Sequence, residues 1–201
     1  MQSVSEICSS PAFDAIVTTG DGETYVFKAA RYWKLTADSV APGYPRNIAE
    51  DWAGLPDNID AAFTWNKGKT YFFKGSKYWK FSNQKMDVGY PRQISSRFYG
   101  MPKFPDAALV WSQNIYFFKG RYLITSAANT KQHDTSTHFK GSQYWRFDPK
   151  GVDNSYPKPI SGNWKGIPDN LSGALQYRNG RSYFFKGDKY WRYNDKEQKV
   201  C

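Results

Sequence analysis

The stretch Tyr71-Phe72-Phe73-Lys74-Gly75, followed by Lys77-Tyr78-Trp79-Lys80-Phe81, decides the fold. It places two short aromatic runs on either side of a Gly-containing turn, and the same string returns along the chain. It stands as Tyr25-Val26-Phe27-Lys28 with Arg31-Tyr32-Trp33-Lys34-Leu35, as Phe139-Lys140-Gly141 with Gln143-Tyr144-Trp145-Arg146-Phe147, and as Tyr183-Phe184-Phe185-Lys186-Gly187 with Lys189-Tyr190-Trp191-Arg192-Tyr193. Short aromatic and β-branched runs bounded by turn residues read as strands of an antiparallel sheet.

Two further elements keep a constant order around each copy. Upstream lie Phe13-Asp14-Ala15-Ile16, Ile59-Asp60-Ala61-Ala62-Phe63, Pro105-Asp106-Ala107-Ala108-Leu109 and Leu171-Ser172-Gly173-Ala174-Leu175. Downstream lie Tyr44-Pro45-Arg46 with Ile48, Tyr90-Pro91-Arg92 with Ile94, and Tyr156-Pro157-Lys158 with Ile160. Gly20-Asp21-Gly22, Lys67-Gly68 and Asn179-Gly180 mark tight hairpin turns, because these residues supply positive φ. Segments such as Ile48 to Trp52 and Ile160 to Trp164 read as one or two helical turns, stopped by Gly54-Leu55-Pro56 and Gly166-Ile167-Pro168.

One small sheet of this kind cannot bury both faces, but four packed face to face around an axis can. The expectation is therefore an all-β, four-bladed β-propeller with short helical turns between blades. Ala61-Ala62 and Ala107-Ala108 suit innermost strands where four blades crowd, and the aromatics fill the space between blades. The expected domain is a single propeller over 8–201, with blades near 11–56, 57–102, 103–168 and 169–201 and a tail at 1–7.

Composition agrees. The chain has 8 Trp, 15 Tyr and 14 Phe but a mean hydropathy of -0.74, so its apolar mass sits in bulky rings rather than aliphatic helices. No apolar run approaches the roughly 20 residues that cross a bilayer. Met1-Gln2-Ser3 reads as the start of a fragment, so the lack of a leader says little about compartment. The formal charge of +10 favours anionic partners such as sulfated glycosaminoglycans, although the lysines recur at repeated strand positions instead of clustering. The two cysteines, Cys8 and Cys201, stand at opposite ends, as two free thiols or as one bond closing nearly the whole chain into a ring.

The ordered triple of Asp-Ala strand, Phe-Lys-Gly-x-x-Tyr-Trp and Tyr-Pro resembles the hemopexin-like repeats of the C-terminal domains of matrix metalloproteinases and of vitronectin, over about residues 8 to 201. The resemblance implies that Cys8 and Cys201 join the first and last blades. It implies a calcium in the central tunnel on the backbone carbonyls of Asp14, Asp60, Asp106 and Ser172. Below that it implies an anion, chloride, on the amides of Ile16, Ala62, Ala108 and Ala174, with sodium a further candidate ion. Converging carbonyls suit a hard cation; the alternative is that these residues only pack the inner strands.

Function follows from the same resemblance: a secreted, non-catalytic, protein-binding domain in the extracellular matrix, whose parent chain would be a zinc metalloendopeptidase. Its partners would be collagen-like matrix proteins, tissue inhibitors of metalloproteinases, or a second copy in a homodimer. One alternative is a vitronectin-like adhesive glycoprotein binding heparin-like polyanions; another is a heme carrier.

One spacing departs from the pattern. Phe27 to Phe73 is 46 residues, Phe73 to Phe139 is 66, and Phe139 to Phe185 is 46. The extra residues follow Tyr116-Phe117-Phe118-Lys119-Gly120, itself a strand copy, so the third unit reads as partly duplicated, with an exposed polar loop over Ser126 to Thr137. The fourth unit ends at Val200-Cys201 without a Tyr-Pro segment, making the last blade short.

No catalytic arrangement stands out. His133 and His138 both fall in the insertion and lack companion ligands, which argues against a metal site and against heme. There is no His-Glu-x-x-His, Gly-x-Ser-x-Gly or phosphate-binding Gly-rich motif. Asn170-Leu171-Ser172 matches the glycosylation pattern but coincides with the fourth inner strand, which favours a structural role. The alternation of Lys and aromatic residues recurs in every unit and so reads as blade architecture; no nucleic-acid binding is expected.

Overall fold

Each aromatic run buries alternate side chains on opposite faces of its sheet, and this turns the repeat into a propeller. In Tyr71-Phe72-Phe73, Phe72 packs toward the preceding blade with Phe27 and Trp52, while Tyr71 and Phe73 pack toward the following blade with Phe117. A strand covered on both faces loses the polar alternation of a half-exposed sheet.

The computed structural model describes residues 12–65, 67–101, 103–120, 122–125, 137–140, 142–148, 151–177 and 179–201. Blade one is β1 (Ala15–Thr18), β2 (Thr24–Lys28), β3 (Arg31–Leu35) and β4 (Arg46–Asn47). Blade two is β5 (Ala61–Trp65), β6 (Lys69–Lys74), β7 (Lys77–Ser82) and β8 (Lys85–Met86), with β9 (Arg92–Gln93) also pairing with β7. Blade three is β10 (Ala107–Trp111) and β11 (Asn114–Lys119), then β14 (Gln143–Asp148) and β15 (Gly151–Val152), with β16 (Lys158–Pro159) on β14. Between β11 and β14 a separate two-stranded sheet forms from β12 (Tyr122–Thr125) and β13 (Thr137–Lys140). Blade four is β17 (Gly173–Gln176), β18 (Ser182–Lys186), β19 (Lys189–Asn194) and β20 (Lys199–Val200). All these pairings are antiparallel, and β1, β5, β10 and β17 neighbour one another in a ring around the axis.

Blade three corrects the strand assignment suggested by its sequence. The partner of Tyr144 is Phe118 of β11, whereas Phe139 pairs with Leu123 in the extra hairpin. The string Tyr116-Phe117-Phe118-Lys119-Gly120 therefore supplies the blade, and Phe139-Lys140-Gly141 belongs to the insertion. In blade two the β6–β7 turn is only Gly75-Ser76; in blade three the same connection runs from Gly120 to Ser142. The loop expected over Ser126 to Thr137 lies, apart from Thr137, outside the described residues.

Helical turns follow three of the blades as expected: Ile48–Asp51, the 3-10 turn Ile94–Ser96, and Ile160–Asn163. Each delivers a ring into the seam between two blades. Trp52 stands 5.3 Å from Phe72, Phe98 stands 5.7 Å from Phe117, and Trp164 stands 5.3 Å from Phe184. All three are buried. Burying rings of this size supplies much of the apolar stabilisation of each seam, and edge-on contacts add to it.

The hairpin turns match the Gly signals in three blades, with Gly22, Lys67-Gly68 and Gly180 at positive φ. Blade three makes the same turn with Ser112 (φ 48) and Gln113 (φ 65), which carry no glycine to announce it. At Gly20 a Cβ would lie 2.3 Å from the carbonyl oxygen of Gly68, so the turns of blades one and two meet where only glycine fits.

Candidate functional site: the central tunnel

At the head of three of the inner strands one residue holds two others, and at the fourth it holds one. The backbone N–H of Asp14, Asp60, Asp106 and Ser172 donates to the carbonyl of Phe27, Phe73, Phe118 and Phe185, at 2.9, 2.8, 2.9 and 2.9 Å. The carboxylates of Asp14, Asp60 and Asp106 then accept the N–H of Ala29, Gly75 and Gly120, each at 2.6 Å. Aspartate thus ties the inner strand to the turn after the second strand. Ser172 is too short for this, and its buried Oγ has no partner among the described residues.

These four residues converge. Together with Phe13, Asn58, Ile59, Asn170 and Leu171 they line one mouth of the tunnel, a cavity of about 370 Å³. Ile16, Ala62, Ala108 and Ala174 line the tunnel itself, about 200 Å³, which continues past Thr18, Thr64, Val110 and Gln176. Small side chains here keep four backbones close to the axis.

The mouth is an oxygen-rich environment. Burial pushes the Asp60 carboxyl above its usual range, with the Gly75 N–H and Lys74 opposing that rise. Among the described residues no three His, Cys, Asp or Glu side chains group as metal ligands. One oxygen of each of the Asp14, Asp60 and Asp106 carboxylates is engaged in a turn, and an oxygen-only lining of this kind has the donor chemistry of a hard ion such as calcium.

Other expected sites fare differently. Cys201 is exposed beyond β20, its N–H bonded to the Arg192 carbonyl at 2.9 Å; Cys8 lies outside the described residues. His133 also lies outside them, and of His138 only the backbone position on β13 is described. Asn170 is built into the scaffold: its N–H donates to Ser142 Oγ at 3.2 Å and its Oδ1 occupies the space that a Cβ on Gly120 would need, while Leu171 is buried.

The lysines are dispersed along the chain, but folding groups five cations on the outer face of blade two. Lys69, Lys80, Lys85, Arg92 and Arg97 line two adjoining grooves that share Tyr90 and Arg92. Aligning the repeats would have exposed the signal, because Glu23 and Asp51 of blade one become Lys69 and Arg97 in blade two.

The fold is shared with known proteins. The hemopexin fold protein CP4 from cow pea superposes with a TM-score of 0.70, covering 93% of this chain and 88% of that one, at 17% identity. The Hemopexin family model matches residues 13–57, 59–103, 139–169 and 171–200. The chain belongs to the hemopexin family. Among hemopexin-family relatives, vitronectin of Sus scrofa is 33% identical over 170 residues, 85% of this chain and 23% of that protein. Stromelysin-3 of Xenopus laevis is 32% identical over 174 residues, 86% of this chain and 32% of that protein. The chain thus spans about a quarter to a third of these relatives. The third family match begins at Phe139, inside the extra hairpin, because the hairpin repeats the blade motif locally. Among the described residues no helix is long and apolar enough to cross a membrane.

Proposed function

We propose that this hemopexin-family domain is a non-catalytic recognition module of a secreted matrix protein, binding collagen-like matrix proteins, tissue inhibitors of metalloproteinases or a second copy of itself. The observation that carries this reading is the excursion from Gly120 to Ser142. It interrupts blade three at a turn that takes two residues in blade two, and it adds the β12–β13 hairpin without disturbing the β11–β14 pairing. A grafted loop on a rigid scaffold is where recognition is placed without cost to the core. The parent chain, on this reading, resembles a matrix metalloproteinase whose zinc protease lies elsewhere. The domain would hold calcium on the carbonyls of Asp14, Asp60, Asp106 and Ser172, chloride at the amides of Ile16, Ala62, Ala108 and Ala174, and a Cys8–Cys201 bond closing the ring.

The test replaces residues 121–141 by a Gly-Ser turn and measures binding to a triple-helical collagen peptide and to a tissue inhibitor, with sedimentation for self-association. Loss of binding with an unchanged melting temperature supports the reading. Retention of all binding would place recognition elsewhere, and failure of the intact domain to bind any of the three would overturn it.

A further inference from the structure

Three segments of the chain share one pattern: Tyr44-Pro45-Arg46 with Ile48 and Trp52, Tyr90-Pro91-Arg92 with Ile94 and Phe98, and Tyr156-Pro157-Lys158 with Ile160 and Trp164. Each docks in the same way into the seam between its own blade and the next. The basic residue pairs in register with the tyrosine of the third strand, Arg46 with Tyr32, Arg92 with Tyr78 and Lys158 with Tyr144. Two residues on, the isoleucine N–H donates to the carbonyl of Ala30, Ser76 or Ser142. The tyrosine before the proline covers the strand tyrosine edge-on, at 5.4, 5.4 and 5.2 Å. Trp52, Phe98 or Trp164 then fills the seam.

The seam between blades four and one has the same walls but, among the described residues, no such segment. On the blade-four side stand Tyr183, Phe185 and Tyr190, at the positions of Tyr25, Phe27 and Tyr32. The Tyr190 ring lies 6.3 Å from Tyr183 and 6.5 Å from Phe185. On the blade-one side Val26 and Leu35 occupy the positions at which Phe72 and Phe81 meet Trp52 in the first seam, and these smaller side chains leave room for an incoming ring. The consequence is a change in exposure: Tyr32, Tyr78 and Tyr144 are 0%, 1% and 3% exposed, whereas Tyr190 is 66% exposed. The backbone edge is open as well. β19 is joined to β20 at Tyr193 and Asn194, and the Arg192 carbonyl accepts the N–H of Cys201, but among the described residues no strand pairs with the outer edge at Lys189 and Tyr190. Blade two places β9 on the same edge, against Lys77 and Tyr78. An apolar groove beside an open strand edge accepts an extended segment through its backbone and an anchoring side chain through its walls.

We propose that the groove between blades four and one receives a segment of a partner polypeptide with the pattern Tyr-Pro-(Arg/Lys)-x-Ile-x-x-x-(Trp/Phe), completing blade four as the chain's own segments complete the other three. The partner's tyrosine covers Tyr190, its basic residue pairs with Tyr190 along β19, its isoleucine N–H donates to the Asp188 carbonyl, and its last aromatic residue fills the space against Tyr183, Phe185 and Val26. A second copy of the folded chain has no such segment to offer, because all three are docked in their own seams with Trp52, Phe98 and Trp164 buried. The site does not depend on the blade-three hairpin, so the two readings fail separately.

The experiment titrates the full chain into a fluorescently labelled peptide with the sequence of residues 44–55 and follows its anisotropy. Saturable binding is expected, and the Trp52→Ala form of the peptide should bind about ten-fold or more weakly, as for a buried aromatic anchor. That substitution reads the groove without altering the protein. In the protein, Tyr190→Ala should weaken binding to a similar extent with an unchanged melting temperature, because the side chain is exposed. Tyr99→Ala, which removes another exposed tyrosine outside the groove, should alter binding by no more than about two-fold, since residues away from an anchor contribute little. Hydrogen exchange at the Tyr190 N–H should slow when the peptide is bound. Absence of saturable binding would overturn the proposal, and so would equal losses from Tyr190→Ala and Tyr99→Ala. A Tyr190 N–H as protected in the free chain as that of Tyr78 would mean that the chain covers its own groove, and self-association in sedimentation that Tyr190→Ala abolishes would make a second copy the occupant; either result rules out the partner segment.

Discussion

Phe13 packs edge-on against Phe185, ring centroids 5.1 Å apart, and this contact joins the last blade to the first. Around it, among the described residues, Ile16, Val26 and Leu175 are buried, with Leu35 and Tyr177 packed at the margin. The other three seams each receive a buried ring from a helical turn, as Trp52, Phe98 or Trp164. Among the described residues no such ring enters the fourth seam.

The fourth seam is accordingly the point where the ring should open first. If Cys8 and Cys201 are bonded, reduction should lower the urea midpoint, reflecting a stability loss of up to about 5 kcal/mol in the chain-entropy account of so long a loop. Hydrogen exchange should show blades one and four losing protection together under reducing conditions. An unchanged midpoint with and without reductant would mean that the bond contributes nothing to closure.

Trp164 fills the seam between blades three and four against Phe118, Phe184 and Tyr193. Trp164→Ala should cost about 3–5 kcal/mol in chemical denaturation, as for other large buried rings. Trp164→Phe installs the residue that the second seam uses at Phe98 and should cost less than half as much. Similar losses for both variants would argue that the seam tolerates no repacking.

Asp106 holds the start of the long excursion through the N–H of Gly120 at 2.6 Å. Asp106→Ala leaves that donor without its acceptor, and about 1–3 kcal/mol of stability should be lost. The equivalent change at blade four, Ser172→Ala, removes a hydroxyl without a partner among the described residues and should be near neutral or mildly stabilising. Paired urea melts of the two variants check the contrast.

Against the opposing effect of burial, Ser82, Lys80 and Lys69 hold the Asp87 carboxyl down at about 2. Its folded-state pKa lies below the unfolded value of about 3.9, so its contribution is fully present above pH ~4 and is lost as pH falls through 2. An Asp87→Asn variant should therefore show a flatter acid limb between pH 4 and 2 than the parent. Parallel acid titrations of stability that coincide would remove Asp87 from the account.

Calcium, if held at the tunnel mouth, binds the closed propeller and not the unfolded chain. Mass action then stabilises by about 2.7 kcal/mol when the ion is at a hundred times its Kd. The melting temperature should rise with calcium and fall with a chelator, and Asp60→Asn should keep much of the response because backbone oxygens are the donors. A melting temperature indifferent to calcium would reduce the mouth to packing.

The sequence alone determined the number of blades, the aromatic strands and the Tyr-Pro connections, while its resemblance to the hemopexin-like repeats is what pointed to Asp14, Asp60, Asp106 and Ser172. Each is a local pattern repeated, and a blade buries the same positions wherever it occurs. It did not determine which of two similar strings completes blade three. Phe118 and Phe139 carry the same motif, and the choice fell to contacts distant in sequence: Phe117 against Phe63 and Phe73, Phe118 against Trp164 and Phe184. The aspartate bonds to Ala29, Gly75 and Gly120 also emerged only in three dimensions, since they join residues about fifteen apart. So did the cationic row on blade two, where Lys69, Lys80 and Arg92 are separated along the chain and become neighbours when antiparallel pairing sets β6, β7 and β9 side by side. Local propensity reads from a string of residues; pairing and charge grouping depend on which distant surfaces can be buried together.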